Sequence, residues 1–248
     1  MMFLFASLLL AGGSADAHQP YAAPSLPDRI AFEDELKFSA EGEMLRAVER
    51  LYPAEYRGLI DSIYGDAAAR PQDQAARAAT KGRLLRAFFE RHASQLANAP
   101  APLLNAINAR MLSIIQRLAR EDPKLCAEFA TSYFIGTPDL PSSYESEASS
   151  LHAAIVEAAK AGGEAPPDPR RQGLDDEDTG TFYAQLLQVE PSGQIIAALT
   201  ADGGESGGTP EMQCRVGAAV HASIDKMLPE QAANVAAYFL AQTLTGGD

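Results

Sequence analysis

The chain lacks tryptophan, has only two cysteines and four histidines, and carries no cationic excess. Without tryptophan it is missing one common anchor of protein interfaces, which by itself decides nothing. No C-x-x-C occurs, so thiol–disulfide catalysis has no support. No H-E-x-x-H occurs and no two histidines stand four positions apart, so a helix-borne zinc pair is excluded. Lys and Arg total 20 against 33 Asp and Glu, a formal net charge of -13. That balance repels phosphate and disfavours nucleic acid and anionic membrane surfaces, leaving basic proteins or cations as charge-matched partners. Beyond the first 13 residues, no stretch approaches the ~20 apolar residues of a membrane-spanning helix. Few segments alternate apolar and polar residues, so strands are not expected.

What is present begins at the N-terminus. "MMFLFASLLLAGG" is apolar and uncharged, and "SADA" follows it. Ala15-Asp16-Ala17 reads as a small-x-small cleavage site, so residues 1–17 are predicted to be a secretory signal. The basic residue that usually precedes such a run is absent. No cysteine stands near the cleavage site to take a lipid. Residues 18–30, "HQPYAAPSLPDRI", are rich in Pro and Ala and predicted to be irregular.

From residue 31 onward helical periodicity dominates. "GEMLRAVERLY" reads as a helix stopping near Pro53, and "PAEYRGLIDSIYG" as one that Gly65 stops. In "DQAARAATKGRLLRAFFERHASQLA", Leu85, Phe89, His92 and Leu96 make one face. In "PLLNAINARMLSIIQRLARE", Leu104, Ile107, Met111, Ile114 and Leu118 recur at helical spacing, which marks this helix as the centre of the core. Pro123 restarts a helix carrying Cys126, Phe129 and Phe134. "SYESEASSLHAAIVEAAKAGG", roughly Asp176–Val189 and roughly Ser192–Thr200 follow, and "PEMQCRVGAAVHASIDKM" and "PEQAANVAAYFLAQTL" close the chain. The expected fold is all-α, a multi-helix bundle or orthogonal helical array over 31–248. It reads as one domain, with lobes 31–135 and 143–248 joined by Pro/Gly-rich loops as the alternative.

Cys126 and Cys214 lie 88 positions apart, each a few residues after a helix-starting proline. In an exported chain an even cysteine count favours a disulfide. Closing so long a loop gives an upper value of about 4–5 kcal/mol of stabilisation. The other reading is two buried thiols in a reducing compartment.

The remaining motifs each have a bland alternative. "GESGG", Gly204 to Gly208, matches G-x-S-x-G but has no strand before it and no room for an Asp and a His after it, so it reads as a flexible loop. In "LDDEDTGTF", Asp175, Glu177 and Thr179 fall at positions 1, 3 and 5 of a calcium loop, with Gly180 at position 6 and Asp178 as a further acid. The bidentate Glu due at position 186 is Leu186, so these acids read first as a helix N-terminus. His18 would become the mature N-terminus after cleavage, where its amine and imidazole could chelate copper. The metal candidates are therefore His18, Asp175, Glu177 and Asp178. His92 reads as a core histidine, and His221 is two helical turns from Cys214, too far to share a metal. Lys81, Arg83, Arg86 and Arg91 read as the outer face of an amphipathic helix. Paired acids such as Glu33–Asp34–Glu35 read as solvated faces.

The functional expectation is a periplasmic or secreted helical protein that binds another protein, as an adaptor, an inhibitor or immunity-type protein, or a chaperone. No cofactor is expected, and catalysis is not favoured. The alternatives are a hydrolase of envelope polymers using helix-borne carboxylates, and a small-ligand or metal-binding protein. A deep cleft with a carboxyl of raised pKa would favour the enzyme, and a flat or convex surface would favour protein binding.

Overall fold

The computed structural model describes residues 28–40, 42–137, 140–167, 171, 173–200 and 209–245. Among the described residues there are 11 α-helices and no strand, an all-α array as expected. In chain order they are α1 Arg29–Phe38, α2 Gly42–Leu51, α3 Pro53–Ala69, α4 Gln74–His92, α5 Ala101–Glu121, α6 Pro123–Ser132, α7 Ser142–Glu164, α8 Asp176–Val189, α9 Gln194–Thr200, α10 Pro210–Ile224 and α11 Pro229–Thr245. A 3-10 turn, Ala93–Asn98, joins α4 to α5. No helix among the described residues is long and apolar enough to cross a membrane. The segment 1–17, His18 and the GESGG stretch lie outside the described residues.

The helix ends follow local chemistry. Asp28, Asp73, Asp122, Asp175 and Thr209 each accept a hydrogen bond from a backbone N–H of the first turn. Such caps satisfy donors that a helix start leaves orphaned. Pro53, Pro123, Pro210 and Pro229 stand at first helical positions, where the missing N–H costs nothing. Of the segment 18–30 only the end is described: Asp28 is a cap, and Arg29 and Ile30 already belong to α1.

Gly65 does not stop α3, which continues to Ala69. A glycine inside a helix weakens it without breaking it. The stop comes from Pro71, which disfavours helical geometry at Arg70 before it. Phe134 likewise lies beyond its helix, because α6 ends at Ser132.

Two apolar clusters share the interior. The larger draws on α2 through α7, with Met44, Ile60, Phe88, Leu104, Leu118 and Ile155 among its buried members. The smaller is built from Phe182, Leu186, Ile195, Val220, Ile224 and Val235 with a few neighbours. Helix α11 serves both: Ala233, Ala237, Leu240 and Leu244 face the larger, and Ala232, Val235 and Ala236 the smaller. The clusters are divided differently from the stretches 31–135 and 143–248. Helix α7 packs on α2, where the Met44 N–H donates to Ser149 Oγ at 3.0 Å, and its Leu151 and Ile155 belong with the first half of the chain.

Candidate functional site

The cysteines lie near the N-termini of α6 and α10. Asp122 caps α6 by accepting from the N–H groups of Lys124 and Leu125, both at 3.0 Å. Thr209 accepts from Met212 N–H at the start of α10. The two helices bring Cys126 and Cys214 to disulfide distance, with sulfurs 1.97 Å and Cα atoms 5.2 Å apart. Both residues are buried. The link ties α6, beside the central α5, to α10, which also bridges the clusters: its Cys214 belongs to the larger and its Val220 and Ile224 to the smaller.

A cleft of about 300 Å3 lies between α1, α2, α3, α4, α7 and the turn at 133–137. Its floor is apolar, with Met44, Ile63, Phe89, Phe134 and Ile135 all buried. Phe32 and Leu36 of α1 cover one side. Polar groups stand among them: Asp66 on α3, Arg77, Thr80 and Lys81 on α4, and Glu145, Ser149 and His152 on α7.

The turn that shapes this cleft is strained. Tyr133 and Phe134 both take left-handed conformations, at φ 49° and 60°. For residues with a side chain such backbone is costly, and it clusters at functional sites. Three contacts hold it. His152 Nε2–H donates to the Tyr133 carbonyl at 2.8 Å, and an Arg86 Nη2 hydrogen donates to the Ile135 carbonyl at 2.6 Å. Gly136, at φ 79°, presses against Gly82 of α4. A Cβ on Gly82 would meet the Gly136 carbonyl oxygen at 2.7 Å, closer than real Cβ atoms come.

Lys81 and Arg86 thus turn inward, correcting the reading of 81–91 as an outer face. Arg91 pairs with Glu55 on the surface. Nothing along the chain marked Asp66 or Arg77, and Glu145, which with Glu147 reads as a solvated acid pair, lines the cleft. One signal for the region was Gly82 itself, because a glycine amid good helix formers is unfavourable unless a backbone must come close.

The other sequence candidates have structural duties. Asp175 caps α8, accepting from the Asp178 N–H at 2.7 Å. Asp178 is buried and accepts from Asn234 Nδ2 at 2.9 Å. Glu177 accepts from Gln231 Nε2 at 3.3 Å. Residues 176–189 are helix and not a calcium-binding loop, with Leu186 in the core. Among the described residues no three His, Cys, Asp or Glu side chains converge as a metal centre requires. His92 packs on Tyr52 and Phe88 and donates from Nε2 to Glu55 at 2.9 Å. His221 donates from Nδ1 to Asn108 Oδ1 at 2.8 Å, and complete burial lowers its pKa to about 4. It is therefore a neutral core residue near pH 7.

Among the described residues three carboxyls have clearly displaced pKa values, all downward. Burial pushes Glu33 up, but hydrogen bonds from Lys37, Tyr56 and Arg29 outweigh it. Arg215 and then Ser192 lower Glu190. For Glu211 the cause is its own backbone N–H, followed by Thr209. None of the three borders the cleft.

The chain matches no protein-family model, no curated protein and no solved structure.

Proposed function

We propose that the protein is exported and works as a binding protein, not a catalyst, holding a small ligand in the cleft between α3, α4, α7 and the turn at 133–137. The observation that carries this reading is the cleft: about 300 Å3, with an apolar floor and a few convergent polar groups. That volume is at the lower end of ligand pockets, which run roughly 300–1,000 Å3. A concave site of this kind favours a small ligand over the flat surface expected of a pure protein-binding module. A hydrolase would want a carboxyl held protonated near neutral pH. The displaced carboxyls go the other way and lie elsewhere. Export is supported by the cleavable layout of residues 1–17 and by the Cys126–Cys214 pair, since disulfides persist in oxidising compartments.

A protein partner is the second reading. Ile30 and Phe38 are 72% and 86% exposed on α1, the helix whose Phe32 and Leu36 cover the cleft. A partner seated there would insert one apolar side chain into the cleft.

Two experiments test the proposal. An intact mass of protein from an exporting host, with free thiols blocked, should begin at His18 and carry no label. A full-length mass with two labelled thiols would overturn export. A thermal-shift screen of amino acids, nucleosides, sugars and fatty acids should give a ligand that wild type binds and Ala78→Phe does not. Ala78 lines the cleft and is half-buried, so the larger side chain fills the space while the helix persists. No ligand, or equal binding by both, would overturn the cleft reading.

A further inference from the structure

The cleft contains two polar atoms that the protein itself leaves unpaired. Asp66 Oδ2 and Arg77 Nε are both buried without a hydrogen-bond partner, and both residues line the cleft. Asp66 pairs through its other oxygen with Arg70. Arg77, one helical turn past the Asp73 cap, makes no ion pair among the described residues. Buried polar groups are nearly always satisfied, so an acceptor and a donor orphaned in the lining of one cavity ask for a common explanation. They differ in what they want. The carboxylate oxygen needs a donor, best a cation, and the guanidinium N–H needs an acceptor, best an anion.

The rest of the lining agrees. Formal charges around the cleft balance, with Asp66 and Glu145 against Arg77 and Lys81. A singly charged ligand would leave one member of the orphan pair desolvated and unpaired. The same cleft carries the apolar side chains of Ile63, Leu85, Phe89 and Phe134. The cavity holds roughly the volume of ten liquid waters.

Resting on the small-ligand reading above, we infer that the ligand is a small zwitterion with an apolar body, of the kind represented by a free apolar α-amino acid, its cationic group on Asp66 and its anionic group on Arg77. The apolar body lies on Phe89 and Phe134. Asp66 is half-neutralised by Arg70, and Arg77 has no carboxylate partner among the described residues, so the anionic end contributes more of the affinity.

The test is titration calorimetry on the exported protein with three probes of one shape: L-phenylalanine, 3-phenylpropionate and 2-phenylethylamine. The expected order is the zwitterion first, then the anion, then the amine. Arg77→Gln should weaken L-phenylalanine by about tenfold or more and abolish its advantage over the amine. Asp66→Asn should abolish its advantage over the anion. Arg77→Lys keeps the charge and controls for folding, and urea unfolding of each variant checks that the fold is intact. Equal binding of all three probes, or indifference to both charge variants, would overturn the inference and leave the cleft reading standing. So would failure of all three probes alongside a different ligand from the screen that Ala78→Phe excludes. Failure of the probes and of the screen together would sink both.

Discussion

The two apolar clusters use the same Ala-rich helices differently. The larger is built mainly from α2 to α7, with one face of α11 and Cys214 of α10 against it: α5 and α7 run through it, and Phe88, Phe89, Phe129, Tyr133 and Phe134 supply edge-to-face ring contacts. The smaller has Phe182 as its one fully aromatic buried residue and rests on faces of α10 and α11 turned away from the larger. Helices α8 and α9 therefore depend on α10 and α11 for their burial, while α2 to α7 bury one another and add one face of α11. The cleft and its strained turn belong to the larger cluster, where enough packing exists to hold two left-handed residues in place. The disulfide meets the shared helix α10 near its N-terminus, the point where the two regions join.

The largest effect should come from cutting that tie. Cys126→Ala with Cys214→Ala, or reduction, should cost up to about 4–5 kcal/mol, measured by urea unfolding. A loss under 1 kcal/mol would show that packing of α10 on α6 suffices alone.

Truncating one leucine in each region sharpens the contrast. Leu118→Ala and Leu186→Ala both remove fully buried side chains and should each cost about 2–5 kcal/mol. Their hydrogen-exchange patterns should differ. Leu186→Ala should lower protection in α8 and α9 and spare α5, whereas Leu118→Ala should lower it throughout. Equal loss in α5 would mean that the two clusters unfold as one unit.

His221 lies on the bridging helix and makes that join sensitive to acid. Its pKa is near 6.5 when unfolded and about 4 when folded, so the unfolded chain binds the extra proton first. Stability is thus fully present above about pH 6.5 and falls as pH drops toward 4, by about 3 kcal/mol at most. His221→Gln should be less stable at pH 7 and show a flatter profile over that window. An unchanged profile would assign the acid sensitivity to other groups.

At the cleft, Gly82→Ala should cost about 1–3 kcal/mol by forcing α4 off the Gly136 carbonyl. It should also weaken any cleft ligand. Gly65→Ala is the smallest and runs the other way. Nothing lies within 4 Å of a Cβ there, and the backbone is helical, so a gain of about 0.5–1 kcal/mol is expected in thermal unfolding.

Much of the helical layout was readable beforehand, because caps, prolines and apolar spacing act within a few residues of one another. Asp122 with Pro123, Thr209 with Pro210, and the face from Leu104 to Leu118 are signals of that local kind. Gly65 misled because glycine is only a weak breaker, and the real stop needed Pro71. The sequence by itself determined that the chain is helical, acidic and equipped with one pair of cysteines. Only the tertiary structure decided what those helices enclose. That α7 lies on α2, that α11 divides its faces between two clusters, and that Asp66 and Arg77 share a cavity with His152 all depend on contacts between distant segments. Helical periodicity tells which face is buried but not which helix covers it, so a cleft shared by five helices and a turn leaves no pattern along the chain.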